Sequence, residues 1–156
     1  MLRLGKDILQ LIADKLNLPD ALNFLATCHK CSELKIYKLL IDYPYTQSIL
    51  NQPKFSDLRV LNMRKVVDDV DLRHLPLEKL TTNKIISDKM LPKTLHVLDA
   101  WDNPNIRDVR HLPLVKLNAN GECGITCKGL PPTLKKLKAW DNPRIRDVRH
   151  LKLEKL

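Results

Sequence analysis

Glycine, aromatic residues and long apolar runs are all scarce in this sequence. Only four glycines, two tryptophans, three tyrosines and two phenylalanines occur among 156 residues, which excludes a glycine-rich or low-complexity chain. No apolar run approaches the roughly 18 residues that a membrane helix needs. The opening stretch MLRLGKDILQLIADKL is interrupted by charges every few residues and so lacks the apolar core of a secretory signal. These absences predict a folded intracellular protein.

Cysteine is also scarce, and its spacing does not predict a metal site. Cys28 and Cys31 form a CxxC, and Cys123 and Cys127 form a CxxxC, but neither pair has the flanking turn residues of a zinc knuckle. An intracellular chain of this length does not need disulfides. We therefore expect buried free thiols, no metal and no cofactor.

Acidic residues are outnumbered. The chain has 18 aspartates and glutamates against 27 lysines and arginines, for a net charge of +9. Such a balance favours acidic partners, including nucleic acid. The charges are mixed along the chain rather than gathered in a block, so a basic soluble surface is the simpler interpretation.

Leucine, by contrast, is abundant and recurs at regular intervals. The stretch AWDNPNIRDVRHLPLVKL from Ala100 returns as AWDNPRIRDVRHLKLEKL from Ala139, with 15 of 18 positions identical. Each copy contains shorter units of the form L-x-x-L-x-(L or small)-x-x-N. These units start at residues 58, 77, 95, 114, 134 and 153, at spacings of 18 to 20 residues. The last unit is incomplete and would leave an open apolar end, so we expect either a piece of a longer repeat protein or a partner that covers this end.

This period resembles the short leucine-rich repeat over residues 54–156. The resemblance implies a solenoid with a parallel β-sheet on its concave face. A short strand is predicted at positions three to seven of each unit, because positions one, four and six alternate inward. The asparagines at position nine, Asn103 and Asn142, are expected to bond backbone groups where the chain leaves the strand. Prolines in the connecting segments disfavour long helices, so extended or 3₁₀ turns are expected on the convex side, anchored by Ile106, Val109 and Leu112.

The first 45 residues have a helical apolar period instead. Three short helices are predicted: one before the NLPD break, a second that opens at Pro19, and a third capped by Ser32 and continuing to Leu40. We assign residues 1–45 to this helical module and 46–53 to a linker. The whole chain is therefore predicted to be α+β.

The segment LGKDILQLIADKLNLPDALNFLATCHK resembles an F-box. It carries the acidic-Ile-Leu trio at Asp7, Ile8 and Leu9, and its second apolar helix ends at Cys28. An F-box followed by leucine-rich repeats is similar to compact proteins of large DNA viruses and amoebae, which implies a cytoplasmic location, in the host cytoplasm if the protein is viral. It also implies a non-catalytic substrate-recognition subunit of a Skp–cullin–F-box ubiquitin ligase, whose partners are a Skp-type adaptor with its cullin complex and a protein target. The adaptor-binding residues that the resemblance implies are Leu4, Asp7, Ile8, Leu9, Ile12, Leu16, Leu22 and Leu25.

The outward side of the predicted strands is the expected target site. Positions three, five and seven of each unit point outward on the concave side. Trp101 and Trp140 share this face about 10 Å apart, and exposed aromatic residues beside lysines are typical of interfaces. Alternatively, both rings lie flat and only cover the sheet. The predicted target-binding residues are Arg64, Lys79, Asn83, Asp99, Trp101, Lys116, Asn118, Asn120, Lys136, Lys138 and Trp140.

Other chemistry has little support in the sequence. His74, His111 and His150 recur in register, but two strands apart their rings are expected roughly 10 Å from one another, too far to share one metal ion. No phosphate-binding glycine loop, HExxH or nucleophile elbow occurs, so we do not expect an enzyme. Two alternatives stay open, a leucine-rich-repeat scaffold or virion structural protein with no ubiquitin role, and, less favoured, a nucleic-acid binder that uses the lysines and tryptophans. No membrane partner is expected.

Overall fold

The fold is α+β and is built on a six-stranded parallel sheet. The computed structural model describes residues 15–16, 20, 23–24, 34–39, 46–64, 69–82 and 84–154. The strands follow chain order across the sheet, and each is hydrogen-bonded to the next. They are β1 (Lys38–Leu39), β2 (Val60–Asn62), β3 (Lys79–Thr81), β4 (Val97–Asp99), β5 (Lys116–Asn118) and β6 (Lys136–Lys138).

The predicted parallel sheet is confirmed, although its strands are shorter than expected. β2 to β6 begin two residues after the unit starts at 58, 77, 95, 114 and 134 and cover positions three to five. Equivalent unit positions are direct partners across every pair of these strands. β4, β5 and β6 end early because the chain turns at position eight, where Asp102, Gly121 and Asp141 have φ of 54°, 64° and 56°.

A column of leucines forms the centre of the core. Position four is leucine in all five of these units, and the five side chains are neighbours across the sheet. Each is at most 3% exposed. Truncating such a leucine to alanine costs about 2–5 kcal/mol. Because each leucine packs against its equivalents in the adjacent units, neighbouring units stabilise one another. The column consists of Leu61, Leu80, Leu98, Leu117 and Leu137.

The connections between strands contain 3₁₀ turns and extended segments, as predicted. Three 3₁₀ turns lie at Pro53–Phe55, Asp88–Met90 and Cys127–Gly129, and the short helix α1 (Gln47–Leu50) lies in the predicted linker. Among the described residues, no helix is long and apolar enough to cross a bilayer. The predicted anchors of the return path are buried, at 0% to 2% exposure, and are Ile106, Val109 and Leu112.

The predicted third helix is wrong over the residues that the structure describes. Residues 34–37 are not helical, and Lys38–Leu39 form β1 beside β2. The backbone N–H of Ile36 donates to the carbonyl oxygen of Lys54 at 2.8 Å. The apolar spacing of this stretch suits a helix or a strand, and the otherwise open edge of β2 supplies the backbone partners that decide for the strand.

The first two predicted helices fall mainly outside the described residues. Leu16 lies in a bend and is half-buried, while Asp20, Asn23 and Phe24 have helical backbone. Phe24 is partly buried and packs against the core of the sheet. The described part of the N-terminal segment therefore shares the core of the repeating units.

Candidate protein-interaction face

The outward face of the sheet, which we call the strand face, consists of the side chains at unit positions three, five and seven. It is the face predicted to be concave. Lysines dominate position three, where Lys79, Lys116 and Lys136 are exposed. Polar side chains dominate position five, and Lys138 is the exposed member of that row. All the predicted target-binding residues within the described part lie on this face, and Asn83 lies outside that part.

The position-seven residues are held at the ends of the strands by hydrogen bonds from their own backbone. In three units the position-seven N–H donates to the side-chain oxygen at position five, at 3.3 Å in each case. The three pairs are Arg64 with Asn62, Trp101 with Asp99, and Asn120 with Asn118. Lys138 has no acceptor oxygen, so the N–H of Trp140 donates instead to Oδ1 of Asn120 at 2.9 Å. Both tryptophans thus project from fixed backbone.

Trp101 lies beside a network in which Arg64 and Asn118 are both hydrogen-bonded to Asp99. Asp99 accepts hydrogen bonds on both carboxylate oxygens, from Nη2 of Arg64 at 3.1 Å and from Nδ2 of Asn118 at 2.9 Å. The Arg64 guanidinium also lies 5.9 Å from the centre of the Trp101 ring, within the range of a cation–π contact. Asp99 therefore pairs the charge of Arg64, whereas Lys79 on the same face has no ion pair among the described residues.

Gly121 lets the Trp101 side chain approach the neighbouring turn. A Cβ at position 121 would overlap Oδ1 of Asp102 and would stand 3.2 Å from Nε1 of Trp101. The space that a side chain would fill is thus occupied by these two residues. Trp101 nevertheless stays 52% exposed, so one side of its ring remains open to a partner.

The other end of the strand face carries a group that we call the basic zone, which is Lys116, Lys136, Lys138 and Trp140. Lys116 and Lys136 are direct cross-strand partners, and Lys138 lies opposite Asn118. Within the described part of the chain, none of the three ammonium groups has a hydrogen bond or an ion pair, and the Trp140 ring has no ring contact. Trp140 is 76% exposed.

The sequence had left open whether the two tryptophans only cover the sheet. In the structure the two differ, because Trp101 packs against its neighbours while the Trp140 ring projects into solvent.

A second repeated feature lies on the return segments, where an aspartate and the arginine two residues later form a clamp. The carboxylate accepts the backbone N–H of the arginine at 3.0 Å in all three clamps and Nε of its side chain at 2.9 to 3.0 Å. Each pair closes within one turn rather than between neighbouring units. The clamps are Asp71–Arg73, Asp108–Arg110 and Asp147–Arg149.

The clamps lower the pKa of their carboxyl groups. Hydrogen bonds from the Arg73 side chain hold the pKa of Asp71 at about 2, and those from Arg110 hold the pKa of Asp108 at about 2. The pKa of Asp147 is likewise lowered, chiefly by Arg149. The clamps therefore stay ionised at neutral pH, where they fix the turns rather than offer a general acid.

Two equivalent open grooves lie between the return segments. Their volumes are about 470 and 550 Å³. Each has a leucine and proline floor and mixed charges at its rim, and each includes one of the predicted in-register histidines, His111 or His150. Within the described part of the chain, no three histidine, cysteine or acidic side chains come close enough to hold a metal ion.

Asp88 and Cys127 hold equivalent turns with different chemistry. Oδ2 of Asp88 accepts the N–H groups of Arg107 at 3.3 Å and Asp108 at 3.1 Å. In the next copy, Sγ of Cys127 accepts the N–H groups at positions 146 and 147, at 3.1 and 3.3 Å. Sequence reasoning missed this role, although the 39-residue offset of the duplicated stretch aligns the two positions.

The remaining predictions about single residues have mixed outcomes. Cys123 is a buried free thiol, as expected, and burial raises its pKa to about 11. Cys127 is also free but only half-buried, while Cys28 and Cys31 lie outside the described residues. Leu16 is half-buried. The other predicted adaptor-binding residues lie outside the described part and are Leu4, Asp7, Ile8, Leu9, Ile12, Leu22 and Leu25.

Comparisons with known proteins do not assign a family. No family model matches the chain, and no curated protein or solved structure matches it either. The strand face and the sequence resemblances are therefore the features from which a function is inferred.

Proposed function

We propose that this chain is a non-catalytic interaction protein whose strand face binds a protein target. The observation that supports the proposal best is the pair of exposed tryptophans, 52% and 76% exposed, on a sheet that also presents lysines. Large aromatic side chains supply most of the binding energy in protein interfaces and are costly to leave in water. Their backbone is fixed by the hydrogen bonds of the strand ends, so little ordering is needed on binding.

The proposal extends to the role that the N-terminal resemblance implies. The F-box-like segment would dock a Skp-type adaptor and its cullin complex in the cytoplasm, and the strand face would present the target for ubiquitination. The two tasks are assigned to separate parts of the chain, since the adaptor-binding residues lie between Leu4 and Leu25 and the tryptophans lie at 101 and 140. No catalytic residue is required of such a subunit.

Co-purification with a recombinant Skp-type adaptor tests the adaptor part of the proposal. The full chain is expected to co-elute with the adaptor, and the Ile8→Asp, Leu9→Asp variant is expected not to. A Trp101→Ala, Trp140→Ala variant is the matched control, because it alters the strand face and should bind the adaptor as the wild type does. Absence of a complex with the wild-type chain would refute this part.

The second candidate is a repeat scaffold or virion structural protein with no ubiquitin role. It is favoured by β1 (Lys38–Leu39), which pairs with β2 in the stretch that the helical module was expected to use for its third helix. A wild-type chain that binds no adaptor but assembles into a stable complex with a defined structural protein would support this candidate.

A further inference from the structure

We propose that the basic zone anchors an acidic, extended segment of the target protein. This inference depends on the proposed function, because it specifies which part of the strand face makes the first contact and which partner chemistry it selects. The proposal excludes neither tryptophan from the interface but assigns the charge recognition to Lys116, Lys136 and Lys138.

The first reason is that the lysines of the basic zone repel one another and have no carboxylate partner among the described residues. Like charges directly opposite each other on neighbouring strands are destabilising, and Lys116 faces Lys136 in this way. The carboxylate of Glu154, in the next unit, instead accepts a hydrogen bond from the ammonium group of Lys135 at 2.9 Å. Lys136 contributes only the smallest of the favourable influences on the lowered pKa of Glu154, after the hydrogen bond and the charge of Lys135.

The second reason is the contrast with the Arg64–Asp99 pair on the same face. Arg64 has Asp99 as its partner at 3.1 Å, and Asn118 fills the other oxygen of the same carboxylate. No such acid faces Lys116, Lys136 or Lys138 among the described residues. An acidic segment bound across β5 and β6 would pair with the lysines of the basic zone as Asp99 pairs with Arg64.

The third reason is that the aspartates beside the tryptophans favour a peptide over a nucleic acid as the partner. Each tryptophan is followed directly by an aspartate, Asp102 or Asp141, and Asp141 is exposed. The chain thus carries a negative charge directly after each tryptophan, and this charge would repel the phosphates of a nucleic acid whose bases stacked on the rings. A peptide can place its carboxylates over the lysines and a neutral side chain over Trp140. The geometry therefore favours an acidic peptide segment over a nucleic acid.

Fluorescence anisotropy with defined peptides tests the proposal. The probes are labelled ten-residue peptides on one background of serine, proline and leucine, with zero, two, four or six glutamates. With the full chain, affinity is expected to rise at least tenfold from the uncharged to the most acidic peptide and to weaken as salt is added. The Lys136→Glu, Lys138→Glu variant should lose at least tenfold in affinity for the most acidic peptide.

A charge-matched control separates a specific site from the net charge of +9. The Lys89→Glu, Lys128→Glu variant changes the charge by the same amount on the return segments and should bind the acidic peptide within twofold of the wild type. Equal losses in the two double variants would overturn the proposal, because binding would then follow overall charge alone.

Two further outcomes would overturn the inference in distinguishable ways. Equal affinity for the uncharged and acidic peptides, lost in the Trp101→Ala, Trp140→Ala variant, would leave the strand face as a target site but refute its preference for acid. If a labelled oligothymidylate bound more tightly than the most acidic peptide, the partner would be a nucleic acid and the proposal of an acidic peptide segment would be refuted. The adaptor experiment is independent of all these results, so failure there is not confused with failure here.

Discussion

At the scale of single residues, the two tryptophans occupy the same unit position but have different surroundings. Trp101 lies beside the Arg64 guanidinium and against the turn at Gly121, whereas the Trp140 ring has no contact of this kind in the described part. Identical sequence around the two residues therefore leads to different roles, because the neighbouring units differ. Trp101 contributes to the fold as well as to the surface, and Trp140 contributes to the surface.

Stability measurements distinguish these roles. Trp101→Ala is expected to lower the free energy of unfolding by about 0.5–1 kcal/mol, the size of an exposed cation–π contact, with some further loss of packing. Trp140→Ala is expected to change it by less than about 0.5 kcal/mol. Urea denaturation of the two variants measures both, and equal losses would contradict the assignment.

Cys127 stands where the equivalent turn of the preceding copy has an aspartate. Cys127→Asp is expected to raise the free energy of unfolding by about 1 kcal/mol, because a carboxylate accepts the two backbone N–H groups more strongly than a thiol does. The thiol also approaches the Arg144 carbonyl at 3.5 Å, and losing that weak contact reduces the gain. Thermal denaturation should rank Asp above Cys and Cys above Ala, and an aspartate variant less stable than Cys127→Ala would refute this account.

At the scale of the element, the turns after β4, β5 and β6 depend on backbone with positive φ. Gly121 has φ of 64°, and a Cβ there would overlap Asp102. Gly121→Ala is therefore expected to cost more than about 1 kcal/mol. Asp141→Gly is the matched control, since Asp141 has φ of 56° and glycine adopts that backbone freely. Urea denaturation should show a loss for the first variant and none for the second, and an unchanged Gly121→Ala variant would contradict the turn geometry.

The clamps on the return segments predict a pH dependence of stability. The pKa of Asp71 and Asp108 is about 2 in the folded chain against an ordinary value of 3.8. A lowered folded-state pKa means that the contribution is present above pH of about 4 and is lost as the pH falls through about 2. The side chains are 44% and 43% exposed, so solvent screening makes the effect small.

An Asp71→Asn, Asp108→Asn variant tests this contribution. Between pH 4 and pH 2, the variant is expected to lose less stability than the wild type in urea denaturation, because two of its three clamps no longer titrate. Parallel loss in the two proteins would show that other carboxyl groups carry the acid sensitivity.

The sequence predicted the parallel sheet but not β1 or the hydrogen bonds of the turns, and particular residues show why. Leucine at position four recurs at 18 to 20 residues, and only a stacked parallel sheet buries such a column, so the sheet followed from the period. β1 was mistaken for helix because the apolar residues at 34, 36 and 39 fit both periods and nothing local reveals the edge of β2. The clamps and the Asp88 and Cys127 acceptors were missed because hydrogen bonds to backbone N–H groups depend on turn geometry, for which short polar sequences give a weak signal.

At the scale of the whole molecule, some of the positive charges behind the net charge of +9 are paired with aspartates and others, within the described residues, are not. The unpaired ones are available to a partner. Three arginines of the return segments are paired with aspartates two residues away, and Arg64 is paired across the strand face. The lysines of the basic zone have no such partners among the described residues. The sheet thus presents a group of three neighbouring unpaired lysines beside its most exposed tryptophan, which is the arrangement expected of a surface that recognises an acidic partner.

The most direct test of this account is the pair of tryptophan indole N–H signals in a ¹H–¹⁵N spectrum of the full chain, assigned with Trp101→Phe and Trp140→Phe variants. On titration with the peptide of six glutamates, the Trp140 signal is expected to shift most, with a smaller shift at Trp101, and both shifts should disappear in the Lys136→Glu, Lys138→Glu variant. Unchanged indole signals at a peptide concentration that saturates the anisotropy would place binding elsewhere on the molecule and contradict the strand face as the interaction site.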